Sequence, residues 1–239
     1  MDEVRVMGLA PIQRSSTISE SVLTRLTEEI LSGRWPAERP APSERDLALT
    51  LQVNRNAVRE ALKVLQHAGL LKIEHGGKTM VLDWRSHAGA DMLGPLTAAG
   101  VIPVSQALTD TLWMNRRMGP DAARLCAKNA SDEQLAAIAA AAEACPEAGT
   151  LEELSDADQA FFAAILDGSG NIAYRLALNT LLRGIREVSR EAFLNATAQM
   201  RGDREARLKI AEALSARDGD TAYELMETLL SQVIGPPES

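Results

Sequence analysis

Apolar residues recur at helical spacing on both sides of a two-residue turn, Gln52-Val53. Before the turn, Ser43 and Asp46 have the spacing of a capping box, which predicts a short helix from about Glu44 to Leu51. After the turn, Asn54 can cap a second helix through its side-chain oxygen. The apolar positions of that second helix are Val58, Ala61, Leu62 and Leu65. They follow the i, i+3, i+4, i+7 spacing, and the pattern therefore predicts a helix-turn-helix.

The opposite face of the second predicted helix is polar and mostly basic. Its residues are Arg55, Asn56, Arg59 and Lys63. A row of this kind is common on any solvent-exposed helix. It is also typical of a recognition helix, whose N-terminal side chains reach base edges in the major groove of DNA. These four residues alone leave both interpretations open.

Two short apolar runs follow the second helix and favour the DNA-binding interpretation. Gly69 is expected to end the helix, and residues 70–74 and 79–82 are predicted to form two strands of a hairpin. His75, Gly76 and Lys78 lie at its tip. A hairpin beside a recognition helix is a wing, and its tip can approach the sugar-phosphate backbone closely.

Together these residues resemble the GntR family of bacterial winged-helix regulators. The matching positions are Pro42-Ser43-Glu44-Arg45, Leu47-Ala48, Val53-x-Arg55-x2-Val58-Arg59-Glu60-Ala61-Leu62, Leu65 and Gly69-Leu70. The hairpin tip differs from the Arg-Gly-Thr tip of many members and resembles the His-Gly tip of the fatty-acid regulator FadR. The resemblance implies a double-stranded DNA operator as partner, with contacts from Arg45, Asn54, Arg55, Asn56, Arg59, His75 and Gly76. The basic residues Lys63 and Lys78 complete the candidate set.

The net charge of −8 is unexpected for a DNA-binding protein, but the charge is unevenly distributed along the chain. Residues 12–85 carry 11 Lys or Arg against 9 Asp or Glu, a net of +2, whereas residues 86–239 carry 13 against 22, a net of −9. A small positive domain beside an acidic one predicts DNA binding through a focused basic patch, with a marked salt dependence.

Length and composition limit the remaining classes. The 239 residues, 46% hydrophobic, suffice for two domains with real cores. No apolar run approaches the length of a membrane span, and the N-terminus lacks the apolar segment of a secretory signal, so we expect a cytoplasmic protein without a membrane partner. Cys126 and Cys145 have no neighbouring histidine and are expected to be reduced core thiols, not zinc ligands. No cofactor is predicted.

The order of the predicted elements along the chain indicates the domain boundaries and a mainly α fold. Residues 1–16 are predicted to be a flexible arm, and residues 17–85 a winged helix-turn-helix domain that includes a supporting helix from Ile18 to Ser32. The prolines at 36, 40 and 42 predict an extended loop before the helix-turn-helix. Residues 86–239 are predicted to form an all-α bundle. Its expected helices span 88–98, 104–117, 120–129, 132–144, 151–167, 171–192, 203–216 and 219–233.

The bundle resembles the FCD ligand-binding and dimerisation domain of the FadR-type branch of the family. The resemblance rests on Asp158-x2-Phe161-Phe162-x6-Ser169-Gly170-Asn171. In such relatives an aspartate and three histidines hold a metal that helps to bind a carboxylate effector. Here Phe162, Arg207 and Leu229 occupy the histidine positions, and all three histidines of the chain precede residue 88. We therefore expect no transition-metal site, although carboxylates could still bind Mg or Ca. Arg207 is the expected partner for Asp158, and the alternative is that Arg207 lies on a solvated face and Asp158 caps a helix or faces water.

Anionic effectors require cations, and guanidinium groups suit carboxylates and phosphates. The candidate arginines are Arg116, Arg117, Arg183, Arg186, Arg204 and Arg207. An ordinary surface position is the alternative for each of them. Phe162 and Leu229 are expected in the core or in an apolar pocket wall, which favours an effector with a large apolar portion, such as a fatty acid or an acyl-CoA.

These features predict an effector-responsive transcriptional regulator that represses from an operator. A single winged-helix head makes few contacts, so a homodimer on two-fold related half-sites is expected. The alternative is a helical small-molecule-binding protein with a vestigial DNA-binding head. An enzyme is disfavoured because the sequence shows no nucleophile–base pair, phosphate loop or metal cluster.

Overall fold

The computed structural model describes residues 18–73, 78–198 and 203–232, apart from the side chains of residues 181–190 and 196. The described residues form two compact units, one within residues 1–89 and one within residues 90–239. Among the described residues, no helix is long and apolar enough to cross a membrane. The predicted arm, residues 1–16, lies outside the described residues.

The first unit is built on three helices. They are α1 (Ile18–Leu31), α2 (Glu44–Thr50) and α3 (Arg55–His67). α3 packs against both α1 and α2, and Leu26, Val58 and Leu65 are at most 1% exposed between them. Burial of such side chains contributes roughly 1.5–3 kcal/mol each, which fixes how α3 is held in this unit.

A small antiparallel sheet follows α3. Its strands are β1 (Leu71–Ile73) and β2 (Thr79–Val81), with Lys72 opposite Met80. The proline-rich segment before α2 pairs with the free edge of β2. The Val81 N–H donates to the Arg39 carbonyl at 2.9 Å, and the Ala41 N–H donates to the Thr79 carbonyl at 2.7 Å. The prediction of a plain extended loop was therefore incomplete, because the N–H groups between the prolines remain available to pair.

Gly69 connects α3 to β1 under two constraints. Its φ is +73°, a left-handed conformation that glycine adopts without strain. A Cβ at this position would also lie 2.3 Å from the carbonyl oxygen of His87. His87 ends a short helix, α4 (Trp84–His87), capped by Asp83 and absent from the sequence-based expectation. The predicted helix end at Gly69 is confirmed.

The second unit is helical in all its described elements. After a 3₁₀ turn (Ala90–Met92), they are α5 (Leu93–Ala98), α6 (Val104–Asn129), α7 (Asp132–Ala144), α8 (Leu151–Ser169), α9 (Ile172–Ala196), α10 (Arg204–Ser215) and α11 (Gly219–Ser231). α6 packs against α8 and α11, and α10 packs against α7 and α11. Five of the helices meet in one core, where Cys126, Ile138, Phe161, Ile210 and Met226 are fully buried.

Two predicted boundaries were wrong. The expected helices 104–117 and 120–129 are one helix, α6, with Pro120 in its interior. Proline at this position removes the hydrogen bond to the carbonyl four residues earlier, and its ring crowds that carbonyl. Gly119 and Pro120 are both buried, so packing holds the helix together across that gap. The expected helix 88–98 is instead a 3₁₀ turn followed by the short α5.

The two cysteines are free and buried, as expected. Burial raises the pKa of the Cys126 thiol to about 11. Gly168 of α8 packs directly against it, because a Cβ there would lie 2.6 Å from the Cys126 Sγ. α6 and α8 therefore approach closely at this point, and neither cysteine has the exposed, thiolate-stabilising surroundings of a reactive thiol.

Candidate nucleic-acid interface and effector site

Two side-chain caps set where the helices of the helix-turn-helix begin. The Ser43 Oγ accepts from the N–H of Asp46 at 3.2 Å, and the Asn54 Oδ1 accepts from the N–H of Ala57 at 2.8 Å. Gln52, in the turn, has a φ of +55°. The predicted caps are confirmed. They place Arg55 in the first turn of α3, where a recognition helix carries its base-contacting side chains.

The predicted DNA-contact residues of α2 and α3 all lie at the surface. They are Arg45, Asn54, Arg55, Asn56, Arg59 and Lys63. The opposite side of α3 carries the buried residues Val58, Ala61 and Leu65. Lys78, next to β2, is also exposed, while His75 and Gly76 lie outside the described residues. The predicted basic and amide groups of the two helices are therefore all exposed to solvent.

Arg59 is held by a carboxylate from the neighbouring helix. Its Nη2 lies 2.9 Å from the Oε2 of Glu44, and its Nε donates to both oxygens of that carboxylate at 3.3 Å. The hydrogen bond from Arg59 lowers the pKa of Glu44, opposed by partial desolvation and helped by the charge of Arg59 itself. Glu44 therefore stays ionised at neutral pH.

The other cations of this face differ in their surroundings. Lys63 pairs with Glu60, one turn earlier on α3, at 2.8 Å, and both side chains are about 60% exposed. Among the described residues, no carboxylate lies within ion-pair distance of Arg45 or Arg55. Arg45 and Arg55 are thus available to phosphates or bases, whereas Arg59 is oriented by protein.

In the second unit, Arg207 of α10 and Asp158 of α8 meet in the interior. The Arg207 Nη2 donates to the Asp158 Oδ1 at 2.5 Å, with 0% and 8% of the two side chains exposed. The Arg207 Nη1 also donates to the backbone carbonyl of Asp203 at 2.8 Å. A hydrogen bond from Gln232 lowers the pKa of the Asp203 carboxyl. The expected pairing of Asp158 and Arg207 is present in the structure.

The two apolar candidates lie in the same interior. Phe162 is 7% exposed and Leu229 is fully buried, and both belong to the core shared by α6, α7, α8, α10 and α11. The Phe162 ring packs edge-on against Phe161, with centroids 6.0 Å apart. These positions supply apolar surface and no ligand atoms.

The remaining candidate cations lie elsewhere. Arg116 of α6 is half-buried, with its guanidinium carbon 5.2 Å from the centre of the Trp113 ring, and Arg117 lies 5.8 Å from the same ring. Both distances fit cation–π contacts. Arg183 is part of α9, and its side chain lies outside the described residues. The described candidate arginines thus have different contacts: Arg116 and Arg117 lie by Trp113, and Arg207 pairs with Asp158.

Comparison with known proteins agrees with this arrangement. The family described as bacterial regulatory proteins, gntR family, matches residues 18–81, and the FCD domain matches residues 110–232. The chain belongs to the GntR family. It is therefore a DNA-binding transcriptional regulator of the GntR/FadR type and not an enzyme.

Several members are similar over most of their length. The chain is 31% identical over 227 residues to the HTH-type transcriptional regulator Mce2R of Mycobacterium tuberculosis, covering 94% of this chain and 92% of that protein. It is 28% identical over 174 residues to the fatty acid metabolism regulator protein of Escherichia fergusonii, covering 73% and 72%. Among solved structures, Streptococcus agalactiae GntR aligns with a TM-score of 0.47 and 24% identity, covering 90% of this chain and 98% of that one.

The metal implied by the FCD resemblance does not fit the residues of this GntR protein. Phe162 and Leu229 have no ligand atoms, and the Asp158 carboxylate already accepts from a guanidinium. Within the part of the chain that the structure describes, no three His, Cys, Asp or Glu residues are grouped as metal ligands would be. Instead of a metal ion, the guanidinium of Arg207 supplies the positive charge next to Asp158.

Two arginines have structural roles that the sequence did not indicate. Arg204, a candidate for effector binding, donates to the carbonyls of Cys145 and Glu143 at 2.9 and 3.1 Å, at the end of α7. Arg217 donates to the carbonyls of Ala127 and Ala130 at 3.2 and 3.1 Å, at the end of α6. Cations at helix C-termini satisfy carbonyls that have no partner within the helix. Arg204 is therefore engaged in holding the bundle together.

Proposed function

We propose that the protein is a homodimeric repressor that releases its operator when an acidic metabolite with a large apolar portion binds the helical unit. A fatty acid or an acyl-CoA has this chemistry. The apolar interior around Phe162 and Leu229, where the buried aspartate is already neutralised, is the observation that carries the proposal. The names of the fatty acid metabolism regulators among its relatives point to the same class of effector.

Arg116 is the cation that we assign to the anionic end of this effector. Most arginines of the second unit whose side chains are described have a carboxylate within 4.0 Å; Arg116 and Arg117 have none among the described residues. Arg207 is a poor anchor because its charge is already paired. Arg116 is half-buried, so an ion pair formed there is screened less by solvent than one at Arg117.

On the DNA side, we propose that two copies of the helix-turn-helix bind two-fold related half-sites. The exposure of Arg45, Asn54, Arg55, Asn56, Arg59, Lys63 and Lys78 supports this. Arg55 and Arg59 are proposed to read base edges and the lysines to contact phosphates. His75 and Gly76 keep their predicted role at the wing tip.

A gel shift with DNA from upstream of the protein's own gene tests the whole proposal. The wild-type dimer is expected to shift the fragment and to release it when oleoyl-CoA or oleate is added. Arg116→Gln should bind the DNA normally but require at least tenfold more ligand for release, while Arg117→Gln serves as the matched control. No shift at all would support the alternative of a vestigial head. Release by a small hydroxy acid instead of the acyl compounds would refute the effector class.

We further expect the helical unit to work without a transition metal. Elemental analysis of the purified protein should find no stoichiometric zinc, nickel or manganese, and EDTA should not shift the melting temperature. The physical reason is that the guanidinium of Arg207 supplies the positive charge that Asp158 requires. A tightly bound metal whose loss follows Asp158→Asn would contradict this expectation.

A further inference from the structure

We propose that Glu44 is a positioning residue for DNA recognition, which holds the guanidinium of Arg59 so that its free edge faces a base. This inference rests on the proposed DNA contact of Arg59. Glu44 lies in the first turn of α2 and Arg59 in α3, fifteen residues apart. The contact is therefore made by the fold of the helix-turn-helix and is not a local contact within one helix.

The geometry of the contact decides which part of Arg59 remains free. Glu44 accepts from Nε and Nη2, the two donors on the side edge of the guanidinium. Arginine has five N–H donors in a planar fork. With the side edge taken, the end edge formed by Nη1 and Nη2 still carries three N–H bonds. That edge is the one that can donate two parallel hydrogen bonds to the O6 and N7 of guanine.

The surroundings keep this carboxylate charged and in place. Glu44 lies at the N-terminus of α2, where the helix dipole favours an anion. The charges of Arg55 and Lys63 on the adjacent helix act in the same direction. The caps Ser43 and Asn54 fix the starts of both helices, so the distance between the two side chains is set by well-defined backbone.

A carboxylate on a DNA-binding face repels phosphates. The competing explanation is therefore that Glu44 acts only through this repulsion and does not position Arg59. An exposed ion pair contributes only about 0–1 kcal/mol to stability. If Glu44 were merely a surface charge, removing it would strengthen binding to every DNA sequence equally. If it positions Arg59, removing it would lower the preference for the correct sequence. The two cases change different measured quantities.

The experiment begins with a duplex selected by the wild-type protein from a randomised pool. Dissociation constants are then measured on this duplex and on a shuffled one of the same composition, for wild type, Glu44→Gln, Arg59→Ala and the double variant. Glu60→Gln is the matched control, because it removes the same charge from the same surface while sparing Arg59. Unchanged thermal melting establishes that each variant is folded.

The specificity ratio is the dissociation constant for the shuffled duplex divided by that for the selected duplex. Glu44→Gln is expected to lower this ratio by roughly tenfold, which is the size of the effect of one mismatched base pair. Added to Arg59→Ala, it should reduce the ratio no further, whereas Glu60→Gln should leave it within about twofold of wild type. An unchanged ratio for Glu44→Gln, with tighter binding to both duplexes, would overturn the inference. Failure of the wild type to enrich any duplex would overturn the proposed DNA contacts themselves.

Discussion

Arg207→Met is expected to lower the free energy of unfolding of the second unit by about 3–5 kcal/mol. Methionine is similar in length and fills most of the space, so loss of packing is a minor part of this cost. The main part is electrostatic, because the Asp158 side chain, only 8% exposed, would remain in the interior with its guanidinium partner removed. The hydrogen bond from Arg207 to the carbonyl of Asp203 would be removed as well.

The protein has two units, so the unfolding measurement must report on the second unit alone. Trp35→Phe and Trp84→Phe leave Trp113, of α6, as the only tryptophan, so urea unfolding followed by its fluorescence reports on the second unit. Lys209→Met is the matched control on α10. Its ion pair with Glu205 is largely exposed, and its loss should change the unfolding free energy by at most about 0.5 kcal/mol.

The double variant Asp158→Leu with Arg207→Met identifies the cause. With both charges removed, neither is stranded in the interior, and the combined cost should be well below the sum of the two single costs. Replacing a buried pair by apolar residues of similar size is often close to neutral. Strictly additive effects would refute the pairing as the source of the destabilisation.

The features predicted correctly depend on short stretches of chain. The caps at Ser43 and Asn54 and the stop at Gly69 each involve residues at most three positions apart, so the sequence pattern contains all the partners. The exposure of Arg55 and Arg59 follows from the same local periodicity, because the buried residues of α3 define the opposite face. The exposed face of the candidate DNA interface was therefore accessible from the sequence.

The features missed depend on contacts between distant residues. Periodicity shows that Arg59 is exposed, but it cannot show that Glu44 holds it across the turn. Similarly, no local pattern indicates that the N–H of Ala41 pairs with Thr79 in β2. Pro120 predicts a helix start because its local preference is real, yet burial on both sides carries α6 through it.

The roles of the candidate effector residues could be predicted only in part from the sequence. The pair of Asp158 and Arg207 is expected because a resemblance aligns the two positions and because a buried aspartate requires a cation; no local pattern links residues 49 positions apart. Arg204 is equally suitable for an anion by residue type, and the structure uses it on the carbonyls of α7. Residue type alone does not separate these roles, since a guanidinium serves carboxylates and carbonyls alike.

Arg59→Ala is expected to weaken binding to the operator by about 1–3 kcal/mol while leaving the protein folded. The side chain is 53% exposed and its pair with Glu44 is a surface pair, so stability should change little. Fluorescence anisotropy with the selected duplex at several salt concentrations gives the measurement. If Arg59 reads a base, the substitution should appear mainly as reduced specificity at one base pair of each half-site.

Lys63→Ala is the matched control on the same helix. If Lys63 contacts phosphate, its removal should weaken binding to all sequences by a similar factor and reduce the salt dependence by about one counterion. Arg59→Lys provides the sharper comparison, because it keeps the charge but cannot donate two parallel hydrogen bonds. Compared with Arg59→Ala, Arg59→Lys should therefore bind all DNA sequences more tightly, without regaining the preference for the selected duplex. Full operator affinity of a folded Arg59→Ala protein would show that α3 does not read DNA through this residue.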